Sequence, residues 1–274
     1  MSDATTIAFT RMNGLGNAFV IIDARDKELS LSGDAVRALA ARDNKVTQGC
    51  DQLLVIHPPK ADGDAFMQIF NADGSEVEAC GNGARAVAAF IGQDGAQNVA
   101  LETLGGALRA TREGAQVRIA MPLPLIGPPR QLHADLPDAV PVDMGNPHGV
   151  IFVETGTAGL AAQYGFQLER HKSFAHGANI NFASLEGDNL IRLDTWERGA
   201  GLTPACGTGA CATAAAAIAQ GLCKAGEVTI RPPFNTDDNS DDVLVIDYQP
   251  EKHLTMSGPV AFEFDGETSL EISA

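Results

Sequence analysis

Two short patterns occur twice in this chain, in the same order and almost the same register, and this repeat limits the architecture more than any other feature. The first is Gly-Asn followed by an apolar run, at Gly16-Asn17-Ala18-Phe19-Val20-Ile21-Ile22 and again at Gly145-Asn146-Pro147-His148-Gly149-Val150-Ile151-Phe152. The second is Ala-Cys-Gly-x-Gly-Ala, which reads ACGNGA over 79–84 and ACGTGA over 205–210, each time followed by an Ala-rich stretch. The spacing between copies is 129 residues from Gly16 to Gly145 and 126 from Cys80 to Cys206. Unrelated coincidences would not keep register so closely, so the chain reads as two copies of one domain-sized unit.

The local patterning repeats as well. In the first half, apolar runs predict strands at Ile7–Thr10, Phe19–Asp23, Leu53–His57, Phe66–Phe70, Val99–Thr103, Leu108–Thr111 and Val117–Met121, with helices at Asp34–Arg42 and from Cys80. The second half predicts strands at Val140–Asp143, Val150–Glu154, Ile180–Ser184, Ile191–Trp196, Val228–Arg231, Val243–Asp247 and Ala261–Phe264, with a helix from Cys206. The two cysteine-led helices have almost no polar face. Arg85 is the only charge between Cys80 and Gln93, and Cys206 to Cys223 carries none. A helix without a polar face is buried on all sides, and among so many strands the economical solution is a sheet wrapped around it. The expected fold class is therefore α+β, with two pseudo-symmetric domains, each a mixed or antiparallel curled, barrel-like sheet around a central α-helix. Met121–Arg130, with four prolines, reads as the linker between halves, and Pro232–Asp242 as an exposed acidic loop.

Composition narrows the partners. A net charge of -16 disfavours nucleic acid and anionic lipid surfaces, which bind basic faces. The N-terminus lacks a basic segment followed by an apolar one, so the expectation is a cytoplasmic protein. The uncharged run 206–223 is built of Ala, Gly and Thr, which fits a buried helix better than a membrane span. Five cysteines are scattered with no C-x-x-C pair, so reduced thiols are expected and no metal site.

A cysteine opening a buried helix has chemical consequences. The first helical turn presents N–H groups without intrahelical partners, and its macrodipole is positive. Such a terminus favours anions and biases a cysteine toward thiolate. Gly81, Gly83, Gly207 and Gly209 leave room for a ligand carboxylate against the amides. Two such termini would form a cleft with a thiol on each wall. That suits removal of a proton from one face of a carbon by a thiolate and delivery to the other face by a thiol, with amides stabilising enolate-like charge. It needs neither metal nor organic cofactor. The bland reading is that these cysteines pack, as free cysteines often do, and Cys50, Cys211 and Cys223 are read that way. A cysteine hydrolase would pair one thiol with His148, which leaves the second motif unexplained.

At these residues the chain resembles the diaminopimelate epimerase family. The likeness is carried by Met12-Asn13-Gly14-Leu15-Gly16-Asn17, Asp51-Gln52, Phe70-Asn71-Ala72-Asp73-Gly74-Ser75-Glu76, 79–85, Met144-Gly145-Asn146-Pro147-His148, Trp196-Glu197-Arg198-Gly199-Ala200-Gly201 and 205–210. The resemblance implies interconversion of LL- and meso-diaminopimelate in lysine and peptidoglycan precursor synthesis, without a cofactor. It implies Cys80 and Cys206 as the acid–base thiols, and the amides of Gly81, Asn82, Gly207 and Thr208 as holders of the reacting carboxylate. Asn17, Gln52 and Glu197 would lie near an amine, and Asn71, Asn179 and Arg198 would read the distal carboxylate. Asn146 joins the binding set, and His148 is a structural or site-shaping residue. The final residues would return to the first domain, giving residues 1–122 with about 263–274 as one domain and 123–262 as the other; a homodimer is allowed. Ala18 stands where the family usually has Asp, and Arg231-Pro232-Pro233-Phe234 replaces its common Pro-Gly-Gly turn. A racemase for another amino acid, such as histidine, and a non-catalytic amino-acid binding protein are the alternatives.

Overall fold

A computed structural model describes residues 4–78, 80–233 and 241–271. The chain divides into two compact units, Met1–Ile119 with Pro259–Ala274, and Ala120–Gly258. The breaks after 119 and 258 fall slightly before those read from the sequence, after 122 and 262.

In the first unit the order is β1 (Ala4–Gly14), β2 (Asn17–Asp23), α1 (Gly33–Ala40), β3 (Gln52–His57), β4 (Ala65–Asn71), β5 (Glu76–Val77), α2 (Gly81–Ile91), β6 (Asn98–Thr103), β7 (Gly106–Glu113) and β8 (Gln116–Met121). In the second it is β9 (Leu125–Ile126), β10 (Val140–Asp143), β11 (Pro147–Phe152), α3 (Thr157–Glu169), β12 (Asn179–Gly187), β13 (Leu190–Glu197), β14 (Gly201–Thr203), α4 (Gly207–Ala219), β15 (Gly226–Arg231), β16 (Leu244–Gln249) and β17 (His253–Pro259). A last strand, β18 (Ala261–Glu271), pairs antiparallel with β1 and so belongs to the first unit.

The pairings of the two units are copies of each other. β1–β2 is an antiparallel hairpin, β2–β3 is parallel across α1, β3–β4 is antiparallel and β4–β6 is parallel across α2. In the same order, β10–β11 is antiparallel, β11–β12 parallel across α3, β12–β13 antiparallel and β13–β15 parallel across α4. β18 beside β1 has its counterpart in β9 beside β10. The Gly-Asn motif has a local cause in both copies: Gly16 (φ 86°) and Gly145 (φ 95°) occupy left-handed backbone just before β2 and β11, where a glycine costs least.

Each sheet curls around one helix. α2 packs against β1, β2, β3, β4, β6 and β7, and α4 against β9 to β13, β15 and β16. α1 and α3 cover the opposite faces: Val20, Ile22, Leu53 and Val55 cluster with Val36 and Leu39, while Ile151, Ile180 and Phe182 cluster with Ala161 and Leu168. Strands buried on both faces read as unbroken apolar runs, which is why β2 and β3 were legible. In α4, Ala214 to Ala217 are fully buried, and side chains this small let strands approach from every side. No helix among the described residues is long and apolar enough to cross a membrane.

Several expectations are corrected. Met121–Arg130, read as the linker, contains the short strand β9, and its Arg130 bridges to Ala139. The Ala261–Phe264 run, read with the second half, belongs to β18 in the first unit, and the missing strand of the second unit is β17. β17 has only Leu254 and Met256 as buried apolar residues, too few to register as a strand. α3 was missed because two glycines interrupt it. Gly165 is there because a Cβ would come within 2.5 Å of the Trp196 ring. Pro232 is buried and Pro233 half-buried, while Asp241 and Asp242 are exposed; the rest of the acidic loop, 234–240, lies outside the described residues.

Candidate active site

Cys80 and Cys206 occupy the same position in the two copies, the N-cap of the central helix. Each has extended backbone, and each Sγ accepts a hydrogen bond at 3.3 Å from the amide two residues into the ACGxGA glycine pair, Gly83 for Cys80 and Gly209 for Cys206. Ser, Thr, Asp or Asn would cap more strongly, so helix stability does not account for sulfur at this point twice. The next two amides, of Gly81 and Asn82 and of Gly207 and Thr208, are first-turn donors with no acceptor inside the helix.

In the first unit the sheet brings the other expected residues to the same end. Asn17 begins β2, Gln52 begins β3 and Asn71 ends β4, with Phe19 opposite Gln52 and Gln52 opposite Asn71. Gln52 Nε2 donates to Asn71 Oδ1 at 3.2 Å, and Asn71 Nδ2 to Ser75 Oγ at 3.1 Å. Asn82 Nδ2 donates to Asn17 Oδ1 at 2.6 Å.

The second unit repeats this layout with different side chains. Asn146 precedes β11, Asn179 begins β12 and Glu197 ends β13, matching Asn17, Gln52 and Asn71 in turn. Asn179 Oδ1 accepts from the Arg198 amide at 2.8 Å, and Arg198 Nη1 donates to the His176 carbonyl at 2.8 Å. Thr203 Oγ1 donates to Glu197 Oε1 at 2.5 Å. Thr203 was not anticipated, and no sequence signal marks it. A buried chain of hydrogen bonds also runs from Thr195 to Asn181 Oδ1 (2.9 Å), from Asn181 Nδ2 to His148 Nδ1 (3.1 Å), and from His148 Nε2 to Asn146 Oδ1 (3.1 Å). Because Nδ1 accepts, the proton of His148 is on Nε2. Asn146 Nδ2 then reaches Thr208 Oγ1 at 3.3 Å, and Thr208 Oγ1 lies 3.6 Å from Cys206 Sγ.

The electrostatics of Cys206 run against the bias toward thiolate that a helix start by itself provides. Its pKa is pushed well above the ordinary thiol range, first by burial and then by the negative charge of Glu197, and the bonds from Thr208 and Gly209 only partly oppose this. A small apolar pocket lined by Leu193, Ala205, Ala210, Ile230 and Leu244 backs the sulfur and explains the desolvation. Glu197 is itself raised by burial, with Thr203 and Cys206 pulling it back through hydrogen bonds. Burial and the neighbouring carboxylate thus both favour the protonated form of Cys206. His148 is fully buried and held neutral, its pKa lowered to about 3 by burial. Cys80 is half-buried. Cys50 is buried and pushed up to about 12 by burial, and Cys211 and Cys223 are buried, in line with packing roles.

A protein-family model described as diaminopimelate epimerase matches the chain twice, over residues 9–122 and 140–262, one match per unit. The chain belongs to the diaminopimelate epimerase family. Among its relatives in that family, the diaminopimelate epimerase of Sphingopyxis alaskensis is 42% identical over 95% of this chain and 96% of its own length. That of Erythrobacter litoralis is 41% identical over 95% of this chain and 96% of its own. Solved structures extend the fold further. A hydroxyproline epimerase from Agrobacterium vitis superposes with a TM-score of 0.66 at 16% identity, covering 99% of this chain and 93% of that one. A PhzF-family phenazine biosynthesis protein from Bacillus anthracis gives 0.68 at 14%, over 96% and 99%.

Proposed function

We propose that this family member interconverts LL- and meso-diaminopimelate, with Cys80 and Cys206 as its two acid–base groups. The observation that carries the reading is a cysteine at the N-cap of the buried central helix in both copies of the fold, each followed by two first-turn amides. A thiolate removes the α-proton, the electron pair delocalises into the carboxylate, and the opposing thiol protonates the other face. The proton taken by one sulfur is replaced by the proton given by the other, so the enzyme ends with the thiol roles exchanged. Helix-start amides hold the carboxylate as charge develops on it. Glu197, accepting from Cys206, supports that sulfur as the resting acid. Arg198 and Asn179 supply donors suited to the distal carboxylate.

The relatives' names support the substrate, which places the reaction in lysine and peptidoglycan precursor synthesis. Five free cysteines suit the cytoplasm, where thiols stay reduced. Both thiols are on one chain, so the chemistry itself asks for no second copy. The test is incubation of reduced protein with LL-diaminopimelate in deuterated water. Conversion to the meso form with one α-deuterium is expected, and it should vanish in both Cys80→Ala and Cys206→Ala. Full activity in either variant would remove that cysteine from the mechanism.

A further inference from the structure

We propose that Arg85 is a positioning residue that sets the hydrogen-bonding polarity of Asn17, so that Asn17 offers an amide N–H to a carboxylate of the substrate. The proposal rests on the reading that the start of α2 receives that carboxylate. Arg85 is fully buried and lies one turn beyond Cys80, the single charge on α2. Burying a guanidinium is costly unless its donors are engaged. Its Nη2 donates to Asn82 Oδ1 at 2.8 Å, and its Nη1 to the carbonyl of Pro259 at 3.1 Å.

A guanidinium can only donate, so the oxygen of the Asn82 amide must face it. The Asn82 Nδ2 group therefore faces Asn17 and donates to Asn17 Oδ1 at 2.6 Å. With its carbonyl occupied, Asn17 has only its own Nδ2 left to present, and that group makes no hydrogen bond among the described residues. Asn17 is half-buried, so this donor is within reach of a ligand. An amide N–H complements a carboxylate and repels an ammonium. The polarity thus aligns Asn17 with the backbone amides of Gly81 and Asn82 rather than with the amine suggested by the family resemblance.

The second unit shows that the fold does not require this relay. There Cys211 stands at the position of Arg85, and Thr208 at that of Asn82. Asn146, the counterpart of Asn17, has its carbonyl held by His148 and its Nδ2 engaged with Thr208 Oγ1. One copy keeps an outward amide donor and the other does not. A substrate that carries both a carboxylate and an ammonium calls for that kind of inequality between otherwise repeated helix starts.

Calorimetric binding of LL-diaminopimelate, read beside steady-state turnover, tests the relay. Asn82→Asp keeps the acceptor for Arg85 but removes the donor to Asn17, whose amide should turn its oxygen outward. Loss of one carboxylate hydrogen bond, replaced by a repelling oxygen, should weaken binding and raise KM about tenfold or more. KM should rise by a larger factor than kcat falls, with the melting temperature held, a split that a merely structural role would not produce. Arg85→Met should do the same, and Arg85→Lys, which retains a donor, should recover part of the affinity. Asn17→Asp separates the two polarities: it weakens binding if Asn17 donates to a carboxylate, and tightens it if Asn17 accepts from an ammonium. Unchanged binding in Asn82→Asp, or tighter binding in Asn17→Asp, overturns the proposal. Wild-type protein that binds with this pattern but does not epimerise would sink the functional reading and leave the relay; protein that does neither sinks both.

Discussion

Gly83 and Gly209 occupy the same position of the duplicated helix start, yet adding one methyl group to each should have opposite consequences. At Gly83 a Cβ would lie 3.3 Å from both Leu54 methyls and 3.5 Å from Cys80 Cβ. Those methyls end a side chain that can shift by a few tenths of an ångström. Ala is favoured over Gly in a helix by about 0.8–1 kcal/mol, so Gly83→Ala should be neutral to slightly stabilising. At Gly209 the Cβ would lie 2.6 Å from Asn181 Oδ1 and 3.2 Å from both Cβ and Sγ of Cys206. Asn181 is fully buried and is held by Thr195 at 2.9 Å and His148 at 3.1 Å, so it cannot yield without breaking the chain that leads to Asn146. Overpacking a tight core costs about 1–3 kcal/mol, and each buried polar group left without its partner about 1–3 kcal/mol more. The same helix-propensity gain offsets only part of that. Gly209→Ala should therefore lose about 2–4 kcal/mol. Urea unfolding of both variants and the wild type measures this directly, with the slopes checked for constancy. Turnover should fall in Gly209→Ala as well, because Cys206 Sγ is displaced. A Gly209→Ala protein as resistant to urea as Gly83→Ala would refute the claim that the Asn181 to His148 chain is rigid.

His148 gives a pH dependence of definite sign. Its folded pKa, about 3, lies below the ordinary 6.5, so the unfolded state binds the extra proton as pH falls. Stability from this group is complete above about 6.5 and is lost progressively toward 3, by at most about 1.4 kcal/mol per pH unit; thermal melts of His148→Gln should show a correspondingly shallower acid slope, and equal slopes would contradict neutral burial. Alkylation by iodoacetamide at mildly alkaline pH should label Cys80 first, since the other four cysteines are buried in the free protein; mass spectrometry finding Cys206 or Cys50 labelled earlier would count against that. Glu197→Gln removes the negative charge that raises the Cys206 thiol, so thiolate absorbance in a Cys80→Ala background should appear at lower pH. An unmoved titration would show that burial alone sets it.

Much of the candidate site's layout was legible because its parts sit at chain positions fixed by local rules. A cysteine before two glycines and an Ala-rich run marks a helix start, and the two apolar strands after each Gly-Asn pair are buried on both faces. Asn17, Gln52 and Asn71 in one copy, and Asn146, Asn179 and Glu197 in the other, recur at strand ends that a duplicated sheet must superpose. What was lost follows equally local causes. β17 carries too few apolar residues to alternate visibly, and α3 contains Gly165 because Trp196, some thirty residues later, needs its space.

The sequence by itself determined the duplication, the two buried helices and the cysteines that begin them, because repeat register and side-chain polarity are written along the chain. Only the tertiary structure decided what those groups are like chemically. A helix start favours thiolate, yet burial and the carboxylate of Glu197, brought up by β13, push the Cys206 thiol the other way. Arg85 reads in the sequence as the one stray charge on an apolar helix, and its meaning comes from Asn82, Asn17 and Pro259 meeting around it. Desolvation and hydrogen-bond polarity depend on which neighbours surround a group in space, and residues distant in the chain supply them.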